Sequence, residues 1–157
     1  MECCSPQDKE YLLAALNKAK ESVAKGGFPA GAVIVQNDKI ISSSVSIGNL
    51  MNDPTCHAEM ASIRQACSDL KTTNLSDATL YASMQPCIMC LGAAMWSGVE
   101  RVVFACSMDK VNPEYYGGDY CSHGINERFL RPLFLEHCAE LEGAALKVIQ
   151  EWERRGA

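Results

Sequence analysis

The sequence predicts an α/β fold in which a sheet of about five strands carries helices on both faces. Short apolar runs are typical of buried strands, and the segments between them repeat at helical spacing. The length of 157 residues suits one domain rather than two. Hydrophobic residues make up 48% of the chain and charged residues 21%, which excludes a disordered protein.

The first part of the chain predicts a helix followed by a β-hairpin. Ser5-Pro6 is a helix start, since serine caps a helix and proline fits its first turn. Gly26-Gly27 ends this helix. The apolar run at residues 32–35 indicates a strand buried on both faces, and Asn37-Asp38 predicts the turn to a second strand.

Helices and strands then alternate to the end of the chain. Residues 107–124 show no period, and a stretch of that length without structure in a compact domain is usually functional. The expected elements are a helix from near Cys56, a strand at 79–82, a helix from Pro86 to Gly98, strands at 102–105 and 133–135, and an amphipathic helix that includes Trp152.

Charge and cysteine usage restrict the class of protein. The net charge of −5 argues against tight binding to a nucleic-acid backbone. No apolar run is long enough for a membrane span, and the N-terminal residues do not read as a signal peptide. Nine cysteines, an odd number, favour reduced thiols in a cytoplasmic protein over a disulfide framework. We expect Cys3 and Cys4 to be exposed thiols of the N-terminal tail.

Two short motifs at predicted helix starts carry the ligands of a metal ion. Cys87 and Cys90 are three residues apart and therefore share a helix face, and His57 supplies an imidazole. Two thiolates and one imidazole suit Zn²⁺, and three protein ligands leave a position for water, as in catalytic zinc sites. A structural site would need a fourth ligand, for which Cys56 is the obvious residue.

Glu59 lies two residues from His57 and is the predicted catalytic residue. Zinc lowers the pKa of a bound water towards 7, and a nearby carboxylate can carry the proton of that water to a substrate. The resulting hydroxide attacks an electrophilic carbon while the acid assists a leaving amine. The sequence therefore predicts hydrolytic deamination of an amino-bearing ring carbon.

His57-Ala58-Glu59 followed by Pro86-Cys87-Ile88-Met89-Cys90 resembles the signature of the zinc nucleobase deaminases. From about residue 26 to residue 104, the chain resembles the cytidine and deoxycytidylate deaminase-like superfamily. The resemblance implies a three-layer α/β/α fold with a central mixed sheet, and a homodimer. It also implies one deaminase domain over residues 1–157, with 107–157 as a C-terminal segment and helix that cover the pocket.

The branch of the superfamily decides the substrate. The 107–124 segment looks more like that of guanine deaminases, so the preferred substrate is guanine or a related purine, a small molecule. The alternatives are a tRNA adenosine deaminase, which the acidic charge disfavours, and a deaminase of cytosine or another heterocycle. A further alternative is a non-catalytic protein stabilised by zinc.

Several residues are expected to contact the substrate. Relatives usually have an asparagine eleven residues before the zinc histidine; this position is Ser46 here, and Asn49 serves instead if the loop is shifted. The backbone N–H of Ala58 faces the developing oxyanion. Ala32 on the first strand and His123 in the 107–124 segment complete the expected set. These relatives often have glutamate where this chain has Gln85.

Overall fold

The structure, a computed structural model, describes residues 4–156, and its helices and strands lie close to the predicted ones. In chain order they are α1 (Pro6–Ala24), β1 (Phe28–Gln36), β2 (Lys39–Ser46), α2 (Gly48–Met51), α3 (Ala58–Leu70), β3 (Ala78–Met84), α4 (Ile88–Ser97), β4 (Arg101–Cys106), α5 (Ser122–Asn126), β5 (Phe134–His137) and α6 (Glu142–Arg154). Short 3₁₀ turns occupy Met108–Lys110, Pro113–Tyr116 and Ala139–Leu141. The 107–124 segment is therefore built from short turns rather than being structureless.

The five strands form one mixed sheet in the order β2-β1-β3-β4-β5. β1 pairs antiparallel with both β2 and β3, whereas β3, β4 and β5 run parallel. Asn37 and Asp38 both have positive φ, as a two-residue hairpin between β1 and β2 requires. The start of β1 and the carboxyl ends of β3 and β4 consequently lie at the same edge of the sheet.

The side chains of β1 alternate between two apolar layers, which confirms the three-layer architecture. Val33 and Val35 pack with residues of α1 and α6, while Ala32 and Ile34 pack with residues of α3 and α4. α1 lies so close to β1 that a Cβ on Gly31 would be 2.3 Å from the Ala15 carbonyl oxygen. A glycine is therefore needed at this crossing.

A partly buried ionic cluster joins α1 to three strands. Asp8 closes the capping box of α1 with Ser5. Its carboxylate also accepts a hydrogen bond from the Tyr81 hydroxyl at 2.7 Å. Arg101 donates one hydrogen bond to each of the two carboxylate oxygens, both at 2.8 Å. Arg101 also contacts Glu136 on β5. Hydrogen bonding from Arg101 holds the pKa of Asp8 well below its usual range.

Asp8→Asn is expected to destabilise the protein by roughly 3 kcal/mol at pH 7, because it leaves Arg101 without its partly buried partner. At a pH above the usual aspartate pKa of about 4, ionised Asp8 makes its full contribution to the stability of the fold. This contribution is lost progressively as the pH falls below that value. Urea unfolding at pH 7 and pH 3 measures both effects. The exposed Asp69→Asn is the control, and equal stabilities of the two variants at pH 7 would contradict the assignment.

Cys4 and Cys138 are joined by a disulfide, with Cα atoms 5.6 Å apart. The expectation of a free, exposed thiol is therefore wrong for Cys4, while Cys3 lies outside the described residues. The pairing escaped prediction because 134 positions separate the two cysteines in sequence. Within the described part of the chain, no helix combines the length and hydropathy that crossing a membrane requires.

Candidate metal centre and active site

Two helix N-termini meet at the edge of the sheet formed by the carboxyl ends of β3 and β4. His57 is the N-cap of α3, and Cys87 is the N-cap of α4, with Cys90 one turn further along α4. Neither N-cap side chain makes a capping hydrogen bond, and both lie in the same cluster with Cys90. Backbone N–H groups at these helix starts favour negative charge, which suits thiolates.

The ligand atoms of His57, Cys87 and Cys90 lie within 4.8 Å of one another. Nδ1 of His57 is 3.6 Å from the sulfur of Cys87 and 3.6 Å from that of Cys90. Among residues 4–156, this is the only cluster of such side chains, and the half-buried Cys56 is not part of it. A set of two sulfurs and one imidazole nitrogen fits zinc and leaves a coordination position for another ligand.

The electrostatics of the cluster favour a thiolate at Cys87. Hydrogen bonding with Cys90, and secondarily with His57, lowers the pKa of Cys87 to about 4 against the opposing effect of burial. Hydrogen bonding with Cys87 raises the pKa of His57. Hydrogen bonding with Cys87, together with burial, raises the pKa of Cys90. Cys87 is therefore a thiolate at neutral pH, the form that binds metals.

Glu59 lies in the first turn of α3, with only 5% of its surface exposed. Its Oε2 accepts a hydrogen bond from the thiol of Cys90 at 3.1 Å. Burial raises the pKa of this carboxyl above its usual value. A carboxyl group with a raised pKa beside a metal centre can both accept and donate a proton at neutral pH.

Two cavities open onto this cluster. The smaller, of about 30 Å³, is lined by His57 and Glu59 and holds about one water molecule. The larger, of about 440 Å³, is within the range of small-molecule sites. Four residues are shared by the linings of the two cavities: Phe28, Ser46, His57 and Tyr115.

Three aromatic rings meet at the larger cavity. Phe28 packs edge-to-face on Tyr115 at 5.4 Å and on Trp152 at 5.1 Å between ring centroids, and Tyr115 and Trp152 are 5.7 Å apart. All three line the cavity. Neither Phe28, at the start of β1, nor Trp152, on α6, was predicted to line a site, because an aromatic residue in a strand or an amphipathic helix has the same pattern whether it faces a core or a cavity.

The residues expected to contact substrate are distributed unequally. Ser46 lines both cavities, and Asn49 lines the larger one while donating a hydrogen bond to the Gly26 carbonyl at 2.9 Å. Ala32 and Ala58 are fully buried in the apolar layer under α3 and α4.

His123 lines a separate cavity of about 390 Å³. Neither Ala32 nor His123 is among the residues that line the two cavities at the cluster of His57, Cys87 and Cys90.

Comparison with known proteins identifies the family. Residues 5–106 match the model of the cytidine and deoxycytidylate deaminase zinc-binding region. The tRNA-specific adenosine deaminase of Aquifex aeolicus is 44% identical over 103 residues, which are 65% of this chain and 68% of that protein. The guanine deaminase of Bacillus subtilis is 44% identical over 96 residues, but this match spans only 62% of its length.

A solved structure extends the similarity beyond the matched region. The X-ray structure of a guanine deaminase from Bacillus subtilis is 33% identical, with a TM-score of 0.65 and coverage of 93% of both chains. The family model covers the helix starts that carry His57, Cys87 and Cys90. The chain belongs to the cytidine and deoxycytidylate deaminase family of zinc-binding proteins.

Proposed function

We propose that the protein is a zinc-dependent hydrolase that replaces the exocyclic amino group of a purine ring with oxygen. The reaction consumes one water, converts the ring C–NH₂ to C=O and releases ammonia. The observation that carries this proposal is the hydrogen bond between buried Glu59 and Cys90, within the cluster completed by His57 and Cys87. A purely structural zinc site has no need of a buried carboxyl group at this position.

His57, Cys87 and Cys90 would hold the metal ion, which when bound supplies a Lewis acid that lowers the pKa of water. Glu59 takes a proton from the attacking water in the small cavity. It delivers one proton of this water to the ring nitrogen beside the attacked carbon and the other to the amino nitrogen, as the bond between that carbon and the exocyclic nitrogen breaks. One group can serve both steps because burial has raised its pKa.

The three rings of Phe28, Tyr115 and Trp152 favour a flat aromatic substrate in the larger cavity. Stacking on aromatic side chains contributes about 1–3 kcal/mol for each base. Ser46 and Asn49 are the polar side chains of this cavity that we propose read the edge of the base. Trp152 lies on α6, so residues 107–157 would contribute part of the pocket wall.

The relatives support adenosine in tRNA as one candidate substrate. The tRNA-specific adenosine deaminases of Aquifex aeolicus and Bacillus subtilis match at 44% and 43% identity over about a hundred residues. These matches favour a tRNA substrate over guanine, the substrate expected from the sequence alone. They do not confirm that expectation. Expectations of a homodimer and of a cytoplasmic location stay predictions.

The charge around the larger cavity supports a free purine such as guanine as the second candidate. Among the described residues that line this cavity there is no lysine or arginine to bind a phosphate. The pKa of the Tyr115 hydroxyl, at the rim of this cavity, is raised mainly by burial. The nearby carboxylates of Glu153 and Glu114 raise it further. Such carboxylates repel an RNA backbone, whereas a neutral base meets no such repulsion.

Ammonia release from a panel of substrates tests the proposal and separates the candidates. The panel contains guanine, guanosine, adenine, cytosine, cytidine and a tRNA anticodon stem-loop, with Glu59→Gln as the blank. Release from the stem-loop that weakens steeply with salt identifies the tRNA branch, and release from a free purine identifies the guanine branch. The absence of any release by the zinc-loaded protein would contradict the proposal for these substrates.

A further inference from the structure

The turn that carries Cys87 is held from outside by the 107–124 segment. The hydroxyl of Tyr116 donates a hydrogen bond to the carbonyl of Gln85 at 2.7 Å, just before Pro86. The hydroxyl of Tyr120 accepts one from the backbone N–H of Ile88 at 2.8 Å. The two hydroxyl groups therefore fix the backbone on both sides of Cys87.

Gln85 adds further links between this turn and the same part of the chain. Its Oε1 accepts hydrogen bonds from the backbone N–H of Met108 at 3.0 Å and from the hydroxyl of Ser107 at 3.5 Å. Its backbone N–H donates to the carbonyl of Cys106 at 2.8 Å. Gln85 is only 5% exposed, so these bonds are shielded from water.

The bond to Ile88 has a particular effect because Ile88 is the first residue of α4. The first N–H groups of a helix have no partner inside the helix and are satisfied by other groups. Tyr120 satisfies this one, which limits rotation of the backbone at the N-cap, Cys87. The direction in which the Cys87 thiolate points is thereby limited.

We propose that Tyr116 and Tyr120 are positioning residues of the zinc site. Their hydroxyl groups hold the turn from Gln85 to Ile88, so that Cys87 faces His57 and Cys90 in the arrangement that binds the ion. This inference rests on the proposed function, because it concerns the same metal site. Partners that orient metal ligands affect metal affinity or activity by about 10–100-fold when they are removed.

Tyr116→Phe and Tyr120→Phe test the proposal, since each removes one hydroxyl group and keeps the ring. Tyr11→Phe is the matched control, because the Tyr11 hydroxyl also donates to a backbone carbonyl, that of Asp38 at 2.9 Å. Zinc affinity is measured by competition with a chromophoric chelator. The absorption of the Co²⁺-substituted proteins reports the geometry of the thiolate ligands without any need for activity.

We expect both variants to bind zinc about 10–100-fold more weakly than the parent protein and to shift the Co²⁺ ligand-field bands. kcat should fall while KM stays near the parent value, and Tyr11→Phe should change none of these. Parent-like zinc affinity and Co²⁺ spectra in both variants would overturn the inference, even if their thermal stability fell. A parent protein that binds Co²⁺ without thiolate charge-transfer bands would instead overturn the proposed zinc site, and the inference with it.

Discussion

Glu59→Gln is expected to lower kcat by at least about a hundredfold and by up to about ten-thousandfold, the range that general acid–base catalysis contributes. Glutamine has nearly the same shape and fills the same buried space, but it cannot carry a proton. Zinc content should therefore stay at the parent level. Steady-state ammonia release on the best substrate of the panel measures the effect.

Glu10→Gln is a suitable control for this variant, because Glu10 is an exposed acid on α1 outside the cavities. Its activity should match that of the parent protein. A Glu59→Gln protein that keeps more than about a tenth of the parent kcat with normal zinc content would show that another group moves the proton. The zinc ligands would then remain in place, but the role of Glu59 would be withdrawn.

Cys90→Ser is expected to remove both the metal ion and the activity. Serine is a far weaker zinc ligand than a thiolate, and Cys90 is fully buried, so no exposed group can move in to replace it. The parent protein should contain about one zinc per chain and the variant almost none. Metal analysis of the purified proteins, together with ammonia release, provides the measurement.

The fold should survive this substitution, because the two apolar layers on the sheet do not depend on a metal ion. Far-ultraviolet circular dichroism should therefore match that of the parent, while the thermal midpoint falls by the amount that zinc binding contributes. Cys106→Ser is the matched control: Cys106 is equally buried but lies outside the ligand cluster. Normal zinc content in Cys90→Ser would rule out Cys90 as a ligand.

Much of the fold could be predicted because its signals are local. Ser5 does cap α1, the Asn37-Asp38 turn does join β1 to β2, and Gly98 does end α4 with a positive φ. Each depends on the backbone preference of one or two residues, which the sequence displays directly. The last strand begins at Phe134 rather than at residue 133, within the usual uncertainty of an element boundary.

The metal ligands were predictable because their chemistry is rare, whereas only part of the substrate cavity was, namely Ser46 and Asn49. Histidine and paired cysteines at helix starts have few other uses, and the structure brings them together. Trp152 contacts Phe28 across more than a hundred residues, a contact that no local pattern records. His123 was expected at the cavity because its segment is long, but length does not fix which way the chain turns.

The separation of the zinc ligands along the chain has a consequence for folding kinetics. His57 and Cys90 lie 33 residues apart, and the intervening chain includes α3 and β3. Closing such a loop costs entropy that is recovered only when long-range pairing is complete. In a refolding experiment followed with Co²⁺, the thiolate–cobalt absorption of the native site should therefore appear with the slowest phase, as an optical signal that the sheet has assembled.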